Sequence, residues 1–243
     1  MTVQLFIPCY LDQCAPALGQ ALTDSLDHFG IAWDYPKAQT CCGQFAYNAG
    51  EWPAARKLMR HFLQVFGAAE TVLCPSASCV LTVRQHYNQL VTDVPEATRL
   101  TRLQSRVWEW SEWLAHQMPL PWPLNFSGTL VLHRSCAARQ LGLLDHLPAL
   151  LDQVSSLTIR QVSPYYSCCG FGGLFSVKYP ELSQAIGESY LQAVLDVGAD
   201  GLVSQDLSCL MHLAGIIRDR HWPLKIYHLA EILAPPTPYS KMI

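Results

Sequence analysis

Short runs of apolar, β-rich residues alternate along the chain with longer stretches whose apolar positions recur every three or four residues. In the first half, Val3 to Ile7, Ile31 to Tyr35 and Thr71 to Leu73 read as strands; Ala17 to Phe29, Trp52 to Phe66 and Ser78 to Leu90 read as helices. In the second half, strands are predicted near Thr129 to Leu132, Leu157 to Val162, Gly201 to Ser204 and Leu224 to Tyr227. Helices are predicted there near Leu143 to Val154, Pro180 to Val197 and Ser208 to Arg218. Short strands alternating with helices argue for βαβ units and a parallel sheet in each half. The predicted fold class is therefore α/β, with two Rossmann-like lobes whose mostly parallel sheets are flanked by helices.

Cysteine spacing shows that the halves are copies. Cys9 and Cys136, Cys41 and Cys168, and Cys42 and Cys169 are each 127 residues apart, and Cys79 and Cys209 are 130 apart. Randomly scattered, ten cysteines would coincide at one chosen offset only about 0.2 times, so three matches in register mark an internal repeat. The flanks agree: Val107 to Leu114 echoes Ile226 to Leu233. We expect a first lobe over residues 1–118, a Pro-rich linker over 119–128 carrying Pro119, Pro121 and Pro123, and a second lobe over 129–243, the lobes being related by pseudo-two-fold symmetry.

Composition narrows the function. Charged residues make up 14% of the chain with a net charge of −3, and no Lys/Arg cluster supplies the footprint of a nucleic-acid binder, so nucleic acid is not expected as a partner. No apolar run reaches the roughly 20 residues of a membrane span, and Met1 to Cys9 lacks the basic head and apolar stretch of a secretory signal, so a cytoplasmic location is expected. In that reducing compartment ten thiols serve as metal ligands or redox groups more readily than as disulfides.

On the predicted elements, Cys9, Cys41, Cys42 and Cys79 each fall just past the C-terminal end of a strand, as do Cys136, Cys168, Cys169 and Cys209 in the second half. Parallel α/β sheets bind ligands in the crevice outside those strand ends, so separate loops are expected to deliver four sulfurs to one place in each lobe. The glycines after the double cysteines (Gly43; Gly170, Gly172, Gly173) permit backbone conformations and close approaches that a Cβ forbids, giving space for a bulky inorganic group. Helices starting at these loops, such as the one from Ser78, aim N–H groups at negative charge.

The segments Cys41-Cys42-Gly43-Gln44, Ser76-Ala77-Ser78-Cys79, His133-Arg134-Ser135-Cys136, Cys168-Cys169-Gly170-Phe171-Gly172-Gly173 and Asp206-Leu207-Ser208-Cys209 resemble the cysteine-rich CCG-domain family of (Fe–S)-binding oxidoreductase subunits. That family includes the CCG-bearing component of heterodisulfide reductase, the glycolate oxidase iron–sulfur subunit and, most similar over essentially the whole chain, the lactate utilization protein A group. The resemblance implies an iron–sulfur, electron-transfer subunit of a multi-subunit L-lactate (2-hydroxy acid) oxidation system, in which lactate becomes pyruvate. It implies one or two clusters per chain, [4Fe–4S] in type, held by the eight repeated cysteines as metal and cofactor ligands. The implied partners are the other subunits of the lactate-oxidation complex, including a ferredoxin-like Fe–S protein. The chain departs from the fullest motif, which ends each repeat in Cys-x-x-Cys, because Ser76 and Asp206 stand at the first of those positions. Four thiolates per lobe serve an ordinary iron–sulfur cluster or zinc, so a structural zinc protein is the alternative, as is a glycolate oxidase- or heterodisulfide reductase-like redox subunit. Thiol–disulfide chemistry at the vicinal cysteines ranks last, since such disulfides are strained.

Plainer readings stand beside these. Cys14 matches no repeat partner and reads as a packed or free thiol, and Cys74, whose counterpart is Ser204, as a weak substitute ligand. His212, three after Cys209 and so on the same helix face at a spacing seen in zinc sites, and His133, three before Cys136, read more simply as packed or solvated residues, and either could tune a centre by hydrogen bonding. Trp108, Trp110 and Trp113 read as core, with a partner-facing stretch as the alternative. Gly170-Phe171-Gly172-Gly173 fits neither dinucleotide nor P-loop patterns, so no NAD or ATP site is expected, and no catalytic residue is placed on this chain.

Overall fold

A computed structural model describes residues 2–166 and 168–236. The described residues form two compact units, one up to Pro121 and the other Trp122–Pro236. The first runs β1 (Val3–Leu5), α1 (Cys9–Cys14), α2 (Pro16–His28), β2 (Trp33–Asp34), α3 (Gln44–Asn48), α4 (Trp52–Phe66), β3 (Thr71–Cys74), α5 (Ala77–Arg84), α6 (Val94–Gln104), β4 (Val107–Glu109) and α7 (Trp110–Ala115). The second runs β5 (Leu124–Leu132), α8 (Cys136–Gln140), α9 (Leu147–Leu151), β6 (Val154–Arg160), α10 (Leu174–Lys178), α11 (Pro180–Asp196), β7 (Gly201–Ser204), α12 (Leu207–Arg220), β8 (Lys225–His228) and α13 (Leu229–Leu233).

Each unit builds one parallel sheet, in the order β2-β1-β3-β4 in the first and β6-β5-β7-β8 in the second. The α/β class and the doubled lobe follow directly from these matching orders. Both orders reverse direction at the first strand of the unit, so β1/β3 and β5/β7 flank a topological switch point, where crossover helices leave on opposite faces and open a crevice. Among the described residues no helix is long and apolar enough to cross a membrane.

Several elements differ from the sequence reading. The Ser78 to Leu90 helix stops at Arg84 and gives way to a 3₁₀ turn at His86–Gln89, and the Leu143 to Val154 helix breaks into a 3₁₀ turn and α9 before β6 begins at Val154. Strand β5 starts at Leu124, inside the stretch read as linker. Leu124 and Asn125 pair with Val154 and Ser155, and an irregularity before Gly128 carries the strand on to the pairs from Gly128–Leu157 to Val131–Arg160. Proline rules out ladder donation only at its own N–H, so the residues after Pro123 were free to enter the sheet.

In the first unit the buried face of α4, Ala55, Met59, Phe62, Leu63 and Phe66, follows the three-to-four periodicity and covers the sheet. Phe6, the residue after β1, is wholly buried against Phe62 and Phe66, with edge-on ring separations of 4.9 and 5.7 Å. Trp110 and Trp113 are buried core residues, as expected, and Trp108 is half-buried under Arg84. In the second unit Val131, Leu191, Val194, Leu202, Leu210 and Leu213 pack with Cys169 and Cys209 in one core cluster. Truncating Phe6 to alanine leaves a cavity where α4 meets β1. We expect Phe6→Ala to destabilise the first unit by about 3–5 kcal/mol, read as a lowered urea midpoint for its unfolding transition; an unchanged midpoint would contradict this packing.

Candidate metal centre

All eight repeated cysteines lie at the C-terminal edge of their sheet, on the loops and helix starts that surround the switch point. Cys9 opens α1 and Cys136 opens α8. Cys41-Cys42 and Cys168-Cys169 lie on the loops after β2 and β6, while Cys79 and Cys209 sit in the first turns of α5 and α12. The 127- and 130-residue spacings thus record equivalent positions on equivalent elements.

Each unit holds an inner and an outer pair. The inner sulfurs are buried: Cys42 lies 3.4 Å from Cys79, and Cys169 lies 2.9 Å from Cys209. The outer thiols, Cys9 with Cys41 and Cys136 with Cys168, are exposed or half-exposed, and the Cys9 and Cys41 sulfurs stand 3.9 Å apart. Within the first unit Cys41 and Cys42 both act electrostatically on Cys9 and Cys41 acts on Cys42, and within the second Cys136 and Cys168 both act on Cys209. The arrangement is a string of neighbouring sulfurs. Among the described residues, the donor atoms that all lie within 4.8 Å of one another are those of His133, Cys169 and Cys209. Cys14 ends α1, exposed, and stands outside the inner and outer pairs.

The loop carrying each double cysteine is built for the turn. Gly43 and Gly170 have φ of +82° and +88°, in the region that favours glycine. The space spared at Gly170 is taken by protein: a Cβ there would lie 2.3 Å from the Ser183 carbonyl oxygen, and the Ser183 hydroxyl donates to the Gly170 carbonyl at 2.8 Å. At Gly43 the neighbour is Leu58. These glycines therefore seat the loop against α11 and α4, whereas the sequence had suggested room for an inorganic group. The buried Tyr87 hydroxyl pins the first loop by donating to the Cys42 carbonyl at 2.8 Å. The sulfurs themselves accept backbone N–H groups: Gly43 to Cys41 at 3.3 Å, Gly170 to Cys168 at 3.4 Å, and Phe171 to Cys169 at 3.5 Å.

Ser76 and Asp206, which replace the first cysteine of the fullest motif, are the N-caps of α5 and α12. Ser76 accepts the Cys79 N–H, and buried Asp206 accepts a hydrogen bond from the Ser135 hydroxyl. The Ser76 cap preserves the start of α5 without the thiol, whereas the Asp206 side chain makes no cap hydrogen bond to α12.

Two residues given little weight in the sequence reading belong to these groups. Cys74, the last residue of β3, is fully buried, and its thiol interacts with Cys79 and Cys42, making a fifth sulfur in the first unit. Its position at a strand C-terminus was the available signal. His133, 1% exposed, follows the last residue of β5, and neither ring nitrogen has a hydrogen-bond partner. An unpaired buried polar group costs about 1–3 kcal/mol, which argues that something outside the chain satisfies it. His212, by contrast, has Ser183 oxygens 3.3 and 3.4 Å from Nε2.

Crowding governs the thiol chemistry. Neighbouring thiols and burial push Cys9, Cys42 and Cys168 well above the ordinary thiol range, and burial raises Cys74 and Cys136. Hydrogen bonds from Cys42, Cys9 and the Gly43 N–H instead hold Cys41 far below that range. Burial, with a smaller contribution from Arg139, brings His133 down to about 4, so its imidazole is neutral at pH 7. Several thiolates can share such a place only with a cationic partner, and a metal deprotonates its thiols outright. The donor set, with thiolates in string and a neutral imidazole, fits an iron–sulfur or zinc centre.

The cysteine-rich domain family, CCG, matches residues 3–84 and 130–214, and so spans the cysteine groups of both units. The chain is 34% identical to Lactate utilization protein A of Bacillus cereus (strain G9842) over 236 residues, covering 96% of this chain and 98% of that protein. It is 33% identical to Lactate utilization protein A of Bacillus thuringiensis (strain Al Hakam), with the same coverage. In fold it is similar to a hypothetical protein from Helicobacter pylori of known crystal structure, with a TM-score of 0.60 at 11% identity over 98% of this chain and 50% of that one.

Thiolate, not thiol, is the nucleophile, so the opposed shifts of Cys41 and Cys9 are measurable. In metal-free chain at pH 7, iodoacetamide is expected to modify Cys41 at least about tenfold faster than the more exposed Cys9. The preference should hold on either side of neutrality, because hydrogen bonds favour the Cys41 thiolate while its neighbour Cys41 and burial keep Cys9 protonated. Peptide mass spectrometry reads both rates; equal labelling at pH 7 would refute the assignment.

Proposed function

The chain belongs to the lactate utilization protein A family of cysteine-rich CCG proteins, and from that premise we propose that it is an iron–sulfur electron-transfer subunit of a multi-subunit system oxidising L-lactate to pyruvate. The observation that carries this reading is the equivalent placement of an inner and an outer cysteine pair at the switch point of both units. Cys9, Cys41, Cys42 and Cys79 would hold one centre, and Cys136, Cys168, Cys169 and Cys209 the other. Bound there, an iron–sulfur centre supplies one-electron transfer.

The chain's own contribution is to hold and tune. Inner thiols embedded in core exclude water from one side of each site, while outer thiols near the surface give electrons a short way in and out. The N–H groups of Gly43, Gly170 and Phe171 donate to sulfur and stabilise its anionic form. No acid–base constellation is placed for hydroxy-acid oxidation, so substrate chemistry falls to other subunits of the lactate system. A ferredoxin-like iron–sulfur protein is the proposed exchange partner, in the cytoplasm.

Anaerobically purified chain is expected to be brown, to contain iron and acid-labile sulfide, and to bleach with dithionite. Colourless protein with stoichiometric zinc would replace this reading with a structural one. Cys42→Ser and Cys169→Ser should each remove about half of the iron, because each breaks one inner pair of ligands. Loss from neither variant would refute the ligand assignment, and lactate turnover by the chain alone would refute the division of labour.

A further inference from the structure

The two units carry different donors at equivalent positions. Phe6, the residue after β1, fills the core with an aromatic ring, whereas the repeat places His133 at the corresponding point after β5. Conversely Cys74, ending β3, brings a fifth thiol to the first group, and its counterpart at the end of β7 is Ser204. The first unit is thus all sulfur; the second has four thiols and an imidazole.

We propose that His133 is an imidazole ligand of the second unit's metal centre, beside Cys169 and Cys209, so that the two centres of this chain differ in ligation. The assignment rests on the proposed metal-binding function. Its own support is geometric. One ring nitrogen of His133 and the two inner sulfurs lie within 4.8 Å of one another, all three residues being buried. Both ring nitrogens lack a protein partner. The aromatic neighbour of the imidazole, Tyr190, meets it edge-on at 5.0 Å and its hydroxyl is also without a partner, so it does not satisfy the ring. His212, though on the same helix as Cys209, is engaged with Ser183 and serves as the control. A neutral imidazole in place of a thiolate leaves a centre less negative, which raises its reduction potential, as histidine ligation does in Rieske centres. His133 is therefore expected to hold the second centre at a higher potential than the same centre would have with a thiolate in its place.

The test uses the full chain, reconstituted anaerobically with iron and sulfide and carrying ¹⁵N in its histidine rings. Pulsed EPR of the dithionite-reduced protein should show the nitrogen coupling of a directly bound imidazole. That coupling should vanish in His133→Gln and persist in His212→Gln. An optical redox titration, which needs no EPR-active state, gives a second readout: His133→Cys should lower one of two midpoint potentials and leave the other unchanged. Iron in both units with no imidazole coupling in the unsubstituted chain, coupling that survives His133→Gln, or two potentials indifferent to His133→Cys would each overturn the assignment while leaving the iron–sulfur reading intact. A chain that takes up no iron would overturn both.

Discussion

Two sulfur atoms that touch inside a hydrophobic core set the terms for each unit. Cys42 with Cys79, and Cys169 with Cys209, are buried at separations where two thiolates would repel strongly. Burial and proximity both work against ionisation, so without a cation the inner thiols stay protonated. With one, the same proximity becomes coordination, and burial strengthens the attraction by keeping water away. A site with this property costs the metal-free fold little and rewards the occupied one, which is how metal affinity becomes folding stability.

The sheet supplies the proximity. In a parallel sheet whose order turns at its first strand, the chain leaves in opposite directions on the two sides of the switch point, and the loops there face one another across the crevice. Each unit sends three loops to that point. The fine placement then comes from small contacts: Tyr87 holding the Cys42 carbonyl, Ser183 holding the Gly170 carbonyl, and the Ser76 cap that fixes the start of α5. Because those contacts involve backbone groups, the sulfurs are positioned by residues with no chemistry of their own.

Much of this was legible in the sequence because a duplication writes each constraint twice. The strand and helix periodicities of Trp52–Phe66, Pro180–Asp196 and Gly201–Ser204 were clear because each buries one continuous stripe or run. The short elements were not: α1, α3, α8 and α10 have five or six residues each, too few for a periodic signal, and they exist because the cysteine loops must turn. The role of Gly170 was misjudged for a related reason. A glycine shows that something approaches closely, yet only the fold says whether that is a ligand or, as here, the carbonyl of Ser183. His133 was underweighted because its value depends on Cys169 and Cys209, which lie 36 and 76 residues away in the chain and beside it in space.

Duplication fixed the backbone and left the side chains free to diverge wherever the backbone's own demand could be met in more than one way. The position before α5 holds Ser76, which caps the helix, and the equivalent position before α12 holds Asp206, which does not but adds negative charge near its sulfurs, one of the causes that raise Cys136 and Cys209. A buried strand end accepts cysteine or serine, and Cys74 puts in the first unit a potential anion that Ser204 does not put in the second. A position at the edge of the core accepts an aromatic ring with or without nitrogen, which allows phenylalanine at one repeat and histidine at the other. None of these exchanges disturbs the sheet order or the inner sulfur pairs. Each does change the charge or donor type that an inorganic group would meet, so the structural cost of making the two sites unlike is small and their electrostatic difference is large. The repeated backbone therefore fixes where an inorganic centre would sit in each unit and leaves its surroundings free to differ.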